Sequence, residues 1–388
     1  MTRTAVGVPE SWRAAAATIA ALGLPVIVAG LIWAPARTWP NLLLADVYFL
    51  SLALGGAVLM SIHFLSGAAW SVVVRRIAEA MMSSLPFAAA LMLTVFFGRR
   101  VLYPWAQPAT SIDAAMSASK AVYLSAPWVF LRMAIILGLW VWLVRRLRRT
   151  SLEQDRSAAP ALHQRLIAGS AMFVVVFAIT FVFGSIDWIM SLDPRWTSTI
   201  FAVYVFAGLL VSALAALTLI AVVLQARGAF GHVIGPAHLH DLGKLLFTFS
   251  TLWAYIWLSQ YLLIWYGNLP DEVTYYLRRT NGPWMQLFLL NLFMNWVVPF
   301  LVLLPRAAKR SPRVLTAVCV CLLIGHWLDL YLLIMPDAWS TPMAGPLEAM
   351  IPLAYAALAI ILIGRALASA PLVPPNDPYL NESVNHET

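Results

Sequence analysis

Apolar runs of about 20 residues or more recur along almost the whole chain, separated by short polar breaks. A helix rises about 1.5 Å per residue, so a run of that length spans the roughly 30 Å of bilayer hydrocarbon. Such runs occupy residues 12–34, 41–66, 73–98, 121–144, 164–190, 196–225, 243–266, 284–305, 312–335 and 344–367. The pattern predicts an all-α polytopic membrane protein with about ten transmembrane helices and no sizeable soluble domain. The first run continues through Val26–Trp33, longer than the apolar core of a cleaved signal, and is read as a retained helix.

Composition agrees. Hydrophobic residues make up 62% of the 388-residue chain and charged residues only 11%, against roughly 25% charge in a soluble domain. The net charge of +8 is laid out in short clusters between apolar runs, such as Arg145–Arg146 and Arg148–Arg149. That layout suits loops facing anionic lipid and excludes a nucleic-acid partner.

If the helices alternate, one side carries 17 Lys and Arg residues, including Arg3 and Arg13, and the other carries seven. This excess puts both termini in the cytoplasm. Outer segments around Tyr103–Trp105, Trp196 and Asp271–Tyr276 mix aromatic, proline and acidic residues suited to docking an extracytoplasmic partner. The polar, proline-rich tail from Pro371 is expected to be mobile. Cys319 and Cys321 lie in an apolar run and point to different sides of a helix, so no disulfide, zinc or iron–sulfur ligation is expected. There is no CxxCH for covalent haem.

The second to fifth helices resemble the sixth to ninth. Pro127-Trp128 opens the fourth and Pro283-Trp284 the eighth. Opposite charges at i,i+3 occur near one end of the third helix (Arg76, Glu79) and of the seventh (Asp241, Lys244). The fifth ends in Asp187-Trp188, followed by Pro194 and Trp196; the ninth has Trp327 and Asp329, followed by Pro336 and Trp339. Repeats of the same orientation predict two parallel-repeat four-helix bundles with two peripheral helices. The expected divisions are 1–40 for a peripheral helix, 41–195 and 196–340 for the bundles, 341–370 for the tenth helix and 371–388 for a flexible tail.

An ionisable residue in hydrocarbon costs several kcal/mol, about 2.5–3.5 near the centre, so each needs a partner or a function. The proton-path candidates are His63, Glu79, Arg132 and Asp187 in the first bundle, and Asp241, Lys244, His326 and Asp329 in the second. Each bundle thus has titratable groups toward both ends and one between, which suits two proton half-paths. Arg132 has no partner nearby in sequence and is expected to pair with Asp187 across the bundle. The plainer alternatives are interfacial salt bridges for Arg76–Glu79 and Asp241–Lys244, an interfacial His63, and an Asp46 facing the outer headgroups. His232, His238 and His240 show no further metal ligand set.

Four stretches resemble a known family. They are His63-Phe-Leu-Ser-Gly-Ala-Ala-Trp-Ser-Val-Val-Val-Arg-Arg-Ile-Ala-Glu79, Ser191-Leu-Asp-Pro-Arg-Trp-Thr-Ser-Thr-Ile200, His240-Asp-Leu-Gly-Lys244 and the aromatic run Trp253–Trp265. Together they are similar to the ActF-type, NrfD-like membrane subunit of alternative complex III, the bacterial quinol:cytochrome c oxidoreductase. The likeness runs from about the second helix to the tenth. It implies an NrfD-like fold in the bacterial inner membrane, with both electron transport and proton translocation in view.

Partners implied are a related NrfD-like quinol-site subunit, a multihaem c-type cytochrome, an iron–sulfur subunit and a monohaem cytochrome, along with membrane lipids. A terminal oxidase is a further candidate partner. Haem and iron–sulfur clusters are then expected only in those partners. Quinone is the one cofactor candidate for this chain itself. The leading expectation is a scaffolding, proton-conducting subunit without redox centres of its own. A direct quinone-binding subunit and a stand-alone secondary transporter are the alternatives.

Overall fold

The computed structural model describes residues 7, 9–107 and 118–387. Arg3, counted above among the basic residues, lies outside them. The chain is 83% helical, with no strand among the described residues. In order, the main helices are α1 (Glu10–Trp33), α2 (Pro35–Ser66), α3 (Arg75–Met82), α4 (Leu85–Thr94), α5 (Ala126–Gln154), α6 (Pro160–Trp188) and α7 (Phe201–Ala226). They continue as α8 (Pro236–Gly267), α9 (Pro270–Thr280), α10 (Trp284–Leu292), α11 (Val298–Leu303), α12 (Pro312–Ala338), α13 (Pro346–Ala368) and α14 (Leu380–Val384).

Nine membrane-length, sufficiently apolar segments occur among the described residues, so the chain is an all-α polytopic membrane protein. The seventh expected span falls in α8, which is 32 residues long but is not one of the nine. Its Trp, Tyr, Ser and Thr side chains lower its hydropathy, yet it packs along α7 and buries Leu246, Trp253 and Ile264.

Two expected spans are interrupted helices. The third breaks between α3 and α4 because Pro86 lacks an N–H and crowds the preceding turn. The Ser83 and Ser84 hydroxyls take the carbonyls of Glu79 and Met81 at 2.5 and 2.6 Å. The eighth passes from α10 to α11 through a π-turn at Phe293–Val297, just before Pro299.

Helices α2, α3–α4, α5 and α6 pack into one group, and α7, α8, α10–α11 and α12 into another. The first helix of each group, α2 and α7, meet at the centre, where Gly55 lets the Ala213 side chain approach closely. Helices α1 and α13 pair on the outside, and a Cβ on Gly23 would lie 2.5 Å from that of Ala354. At one end of the molecule lie Arg75, Arg76, Arg148 and Lys244, here called the basic face. The loops at 99–107, 189–200 and 268–283 lie at the far face.

The tail does not hang free as expected. Asp377 and Ser383 are buried, and α14 packs against the turn at Ala69–Val73. Ser383 Oγ donates to the Trp70 carbonyl at 2.8 Å, and Asn376 donates to the Asp155 carbonyl at 2.9 Å. Farther on, His386 Nε2 lies 2.5 Å from Asp241. The tail therefore crosses the basic face from one helix group to the other.

Candidate functional site

The eight candidate residues fall into five places. On the basic face, Glu79 accepts from Arg76, and its Oε1 lies 3.3 Å from Arg75 Nε and accepts from Ser151 Oγ at 2.6 Å. Arg76 also pairs with Asp155, and Arg75 with Asp377. Every charge in this cluster is buried or nearly so, and each carboxylate has a guanidinium. That is the arrangement that makes buried ions tolerable. Sequence reading found Arg76 and Glu79 but missed Asp155 and Asp377, which arrive from a helix end and the tail.

His63 stands apart from Glu79, in a pocket shared with Phe64, Ser71, Arg75, His163 and Tyr379. Its ring meets Trp70 edge-on at 5.4 Å, and the His163 ring lies between Phe64 and Tyr379 at 5.6 and 5.5 Å. The residues from the tail close this pocket on the basic face.

Toward the far face of the first group, Arg132 reaches Asp187 with Nε at 2.8 Å and Nη2 at 3.1 Å. The expected cross-bundle pair is therefore formed, and in the bidentate geometry that favours Arg. Arg132 also lies 4.0 Å from the Tyr123 ring centre and donates to the Tyr123 carbonyl. Between this pair and Glu79 the α5–α6 core is aromatic, with Trp140, Phe173, Phe177 and Phe181 buried. Trp140 donates to Thr180 there at 2.8 Å.

The second group holds its carboxylate differently. Asp329 is 2% exposed, and its oxygens accept from Tyr204 Oη, from Asn291 Nδ2 at 2.9 Å and from Trp253 Nε1 at 3.1 Å. All three donors are neutral, and each comes from a different helix. The nearest titratable nitrogen, His326 Nδ1, is 3.9 Å away. Neither ring nitrogen of His326 has a hydrogen-bond partner among the described residues. Asn295, at the π-turn, donates to Asn291 Oδ1 at 2.7 Å and so fixes the amide that faces Asp329.

Polar groups continue from Asp329 toward the far face. Tyr204 and Asn291 line a small cavity with Gln260, Tyr275, Tyr276 and Arg279. Arg279 Nη2 pairs with Asp337 at 2.6 Å, and Asp337 also lines a wide cleft of about 690 Å³ on that face. Arg278 joins Asp337 to Asp193 there, at 3.1 and 2.9 Å.

On the basic face of the second group, Lys244 Nζ lies 2.5 Å from Asp241, as the spacing predicts, and His386 completes that pair. His238, considered above as a metal ligand, spends Nδ1 on the Gly235 N–H at 3.1 Å and Nε2 on the Ser383 carbonyl at 2.9 Å. Asp46 is 1% exposed and accepts from Tyr355 Oη at 2.6 Å, so it faces α13 inside the protein and not the outer headgroups.

The duplicated motifs have thus diverged: one buried carboxylate is neutralised by an arginine, and the other rests on neutral donors. No protein-family model matches the chain, and no curated protein matches it.

Proposed function

We propose that this chain is the ActF-type membrane subunit of an alternative complex III in a bacterial inner membrane, with both termini cytoplasmic. It scaffolds the complex and carries protons through its second helix group. The family part of this reading rests on the four sequence stretches given above, and the orientation on the Lys and Arg bias.

The proton part rests on one observation: Asp329 is buried with neutral donors only, beside a cavity that extends the polar groups to the far face. A carboxylate without a fixed cation can take up and release a proton without breaking an ion pair. His326, one turn earlier on the same helix, supplies a second titratable group on the side toward the basic face. Asp187, locked to Arg132, suits a structural role better than a relay.

The test is Asp329→Asn in the assembled complex. The proposal expects normal subunit content with quinol-driven proton release lowered severalfold. Unchanged turnover and unchanged proton release would rule Asp329 out as a relay.

A second reading, direct quinone binding, is favoured by the pocket at His63. Its aromatic walls, Phe64 and Tyr379, and the ring nitrogens of His63 and His163 suit a flat ring with two carbonyls. Labelling of α2 by a photoreactive quinone would support this second reading, and labelling confined to a partner subunit would remove it.

A further inference from the structure

Three arginines on the basic face are satisfied from within the protein. Arg75 and Arg76 hold carboxylates, and Arg148 donates to the Glu79 and Ala366 carbonyls and to Ser369. Arg146 and Arg165, like Arg145, Arg149 and Arg156, make no ion pair among the described residues, but these two line one cleft between α5 and α6. The cleft is about 180 Å³ and is also lined by Thr150, Leu143, Gly169 and Met172.

A Cβ on Gly169 would stand 3.0 Å from Leu147 Cδ2, so glycine lets α5 and α6 pack closely here and the Leu147 side chain forms the floor of the cleft. Thr150 Oγ1 spends its proton on the Arg146 carbonyl at 3.1 Å, so the donors at the opening are the two guanidiniums. The Arg146 guanidinium sits 5.8 Å from the Trp142 ring, a residue type favoured at the membrane–water boundary. From there the outer faces of both helices run on as exposed apolar surface, with Trp142 at 53% and Ile135 at 52% on α5 and Val175 at 60% and Ile179 at 59% on α6.

Two unpaired guanidiniums at a helix boundary, above a continuous apolar wall, match the two ends of one molecule. We propose that this cleft binds a glycerophospholipid with an anionic headgroup. The phosphate sits between Arg146 and Arg165, and an acyl chain lies along the wall below Leu143 and Met172. Arginine forks suit phosphate oxygens, and basic pockets between membrane helices are a recurring place for such headgroups. A free phosphate offers the same anionic chemistry without the chain, and the apolar wall favours the lipid.

The experiment uses the full-length protein, extracted in mild detergent and delipidated. Retention of phosphatidylglycerol is measured by native mass spectrometry beside phosphatidylcholine, with inorganic phosphate as a competitor. The protein is expected to retain phosphatidylglycerol over phosphatidylcholine, resist competition by millimolar phosphate, and lose about tenfold or more of that retention in Arg146→Gln/Arg165→Gln. The control Arg313→Gln should retain it as the parent does. Equal retention in all three proteins overturns the site, and displacement by inorganic phosphate alone overturns the lipid as its occupant. A photoreactive phosphatidylglycerol tested on the unmutated protein gives an answer independent of folding of the variant: crosslinks on 142–172 support the site, and crosslinks spread over all the helices contradict it.

Discussion

Asp187 on α6 lies 2.8 Å from the Arg132 guanidinium, while Asp329 on α12 is held by Tyr204, Asn291 and Trp253. The two buried carboxylates have different environments. In the first, removing the charge partner is costly; in the second, removing the charge alone should cost less. That contrast gives the first two predictions.

Arg132→Gln strands a buried carboxylate. Breaking one side of a buried ion pair costs roughly 3–5 kcal/mol. The variant is expected to melt well below the parent in detergent, and Arg132→Gln/Asp187→Asn to recover part of the loss. Equal melting of single and double variants would mean that the pair carries no coupling.

Asp329→Asn keeps the shape of the side chain and loses only the charge. Its effect on stability is expected to be about 1–3 kcal/mol, below that of Arg132→Gln, because one oxygen still accepts from Tyr204 and Asn291 or from Trp253 while the new amide leaves the remaining donor unsatisfied. Thermal melts should therefore separate Asp329→Asn from Asp187→Asn, which leaves Arg132 without its carboxylate.

Gly208 sits against His326. A Cβ there would stand 2.7 Å from His326 Cε1 and 2.9 Å from Nδ1. Gly208→Ala is expected to cost about 1–3 kcal/mol by overpacking. His326→Ala in the same protein should give the space back, and a double-mutant cycle reads the coupling.

The tail clasp makes a prediction of its own. Deleting 371–388 removes Asp377 from Arg75 and Ser383 from Trp70 and His238. The truncated protein is expected to lose about 3 kcal/mol, as for a broken buried pair. It should also become open to protease between residues 67 and 74.

Acid should loosen the same clasp. Burial pushes the Asp241 carboxyl up, but hydrogen bonds from Lys244 and His386 and their charges outweigh it and hold the group below its ordinary value of 3.8. A depressed carboxylate contributes stability that is fully present above the ordinary value and lost as pH falls through the folded one. Hydrogen exchange in α14 should therefore be slow near neutral pH and rise once the pH drops below about 4. Exchange that does not change with pH would detach Asp241 from the clasp.

Much of the fold was legible because hydropathy reports burial in lipid directly. The breaks were less so. Pro86 and Pro299 were visible, but prolines are tolerated within membrane helices, so their presence did not say where each helix would yield. The α8 span was readable from length even though its aromatic side chains lower its hydropathy.

At the candidate sites, Arg132–Asp187 followed from the rule that a buried charge needs a partner. The surroundings of Asp329 did not, because Tyr204, Trp253 and Asn291 come from three different helices and an aromatic residue looks the same facing lipid or core. Asn291 and Asn295, four apart in an apolar run, were the signal that could have been used. The tail was misread because its polar composition hides a few buried contacts, Leu372, Asp377 and Leu380, each matched to a place on the basic face.

The most direct measurement is purification through a tag on this chain in mild detergent, followed by a visible spectrum of the reduced and oxidised particle. The chain has no CxxCH motif, so any covalent haem must belong to a partner. The account predicts reducible c-type haem bands in the same particle. A colourless, solitary protein would contradict it and bring the secondary-transporter reading forward.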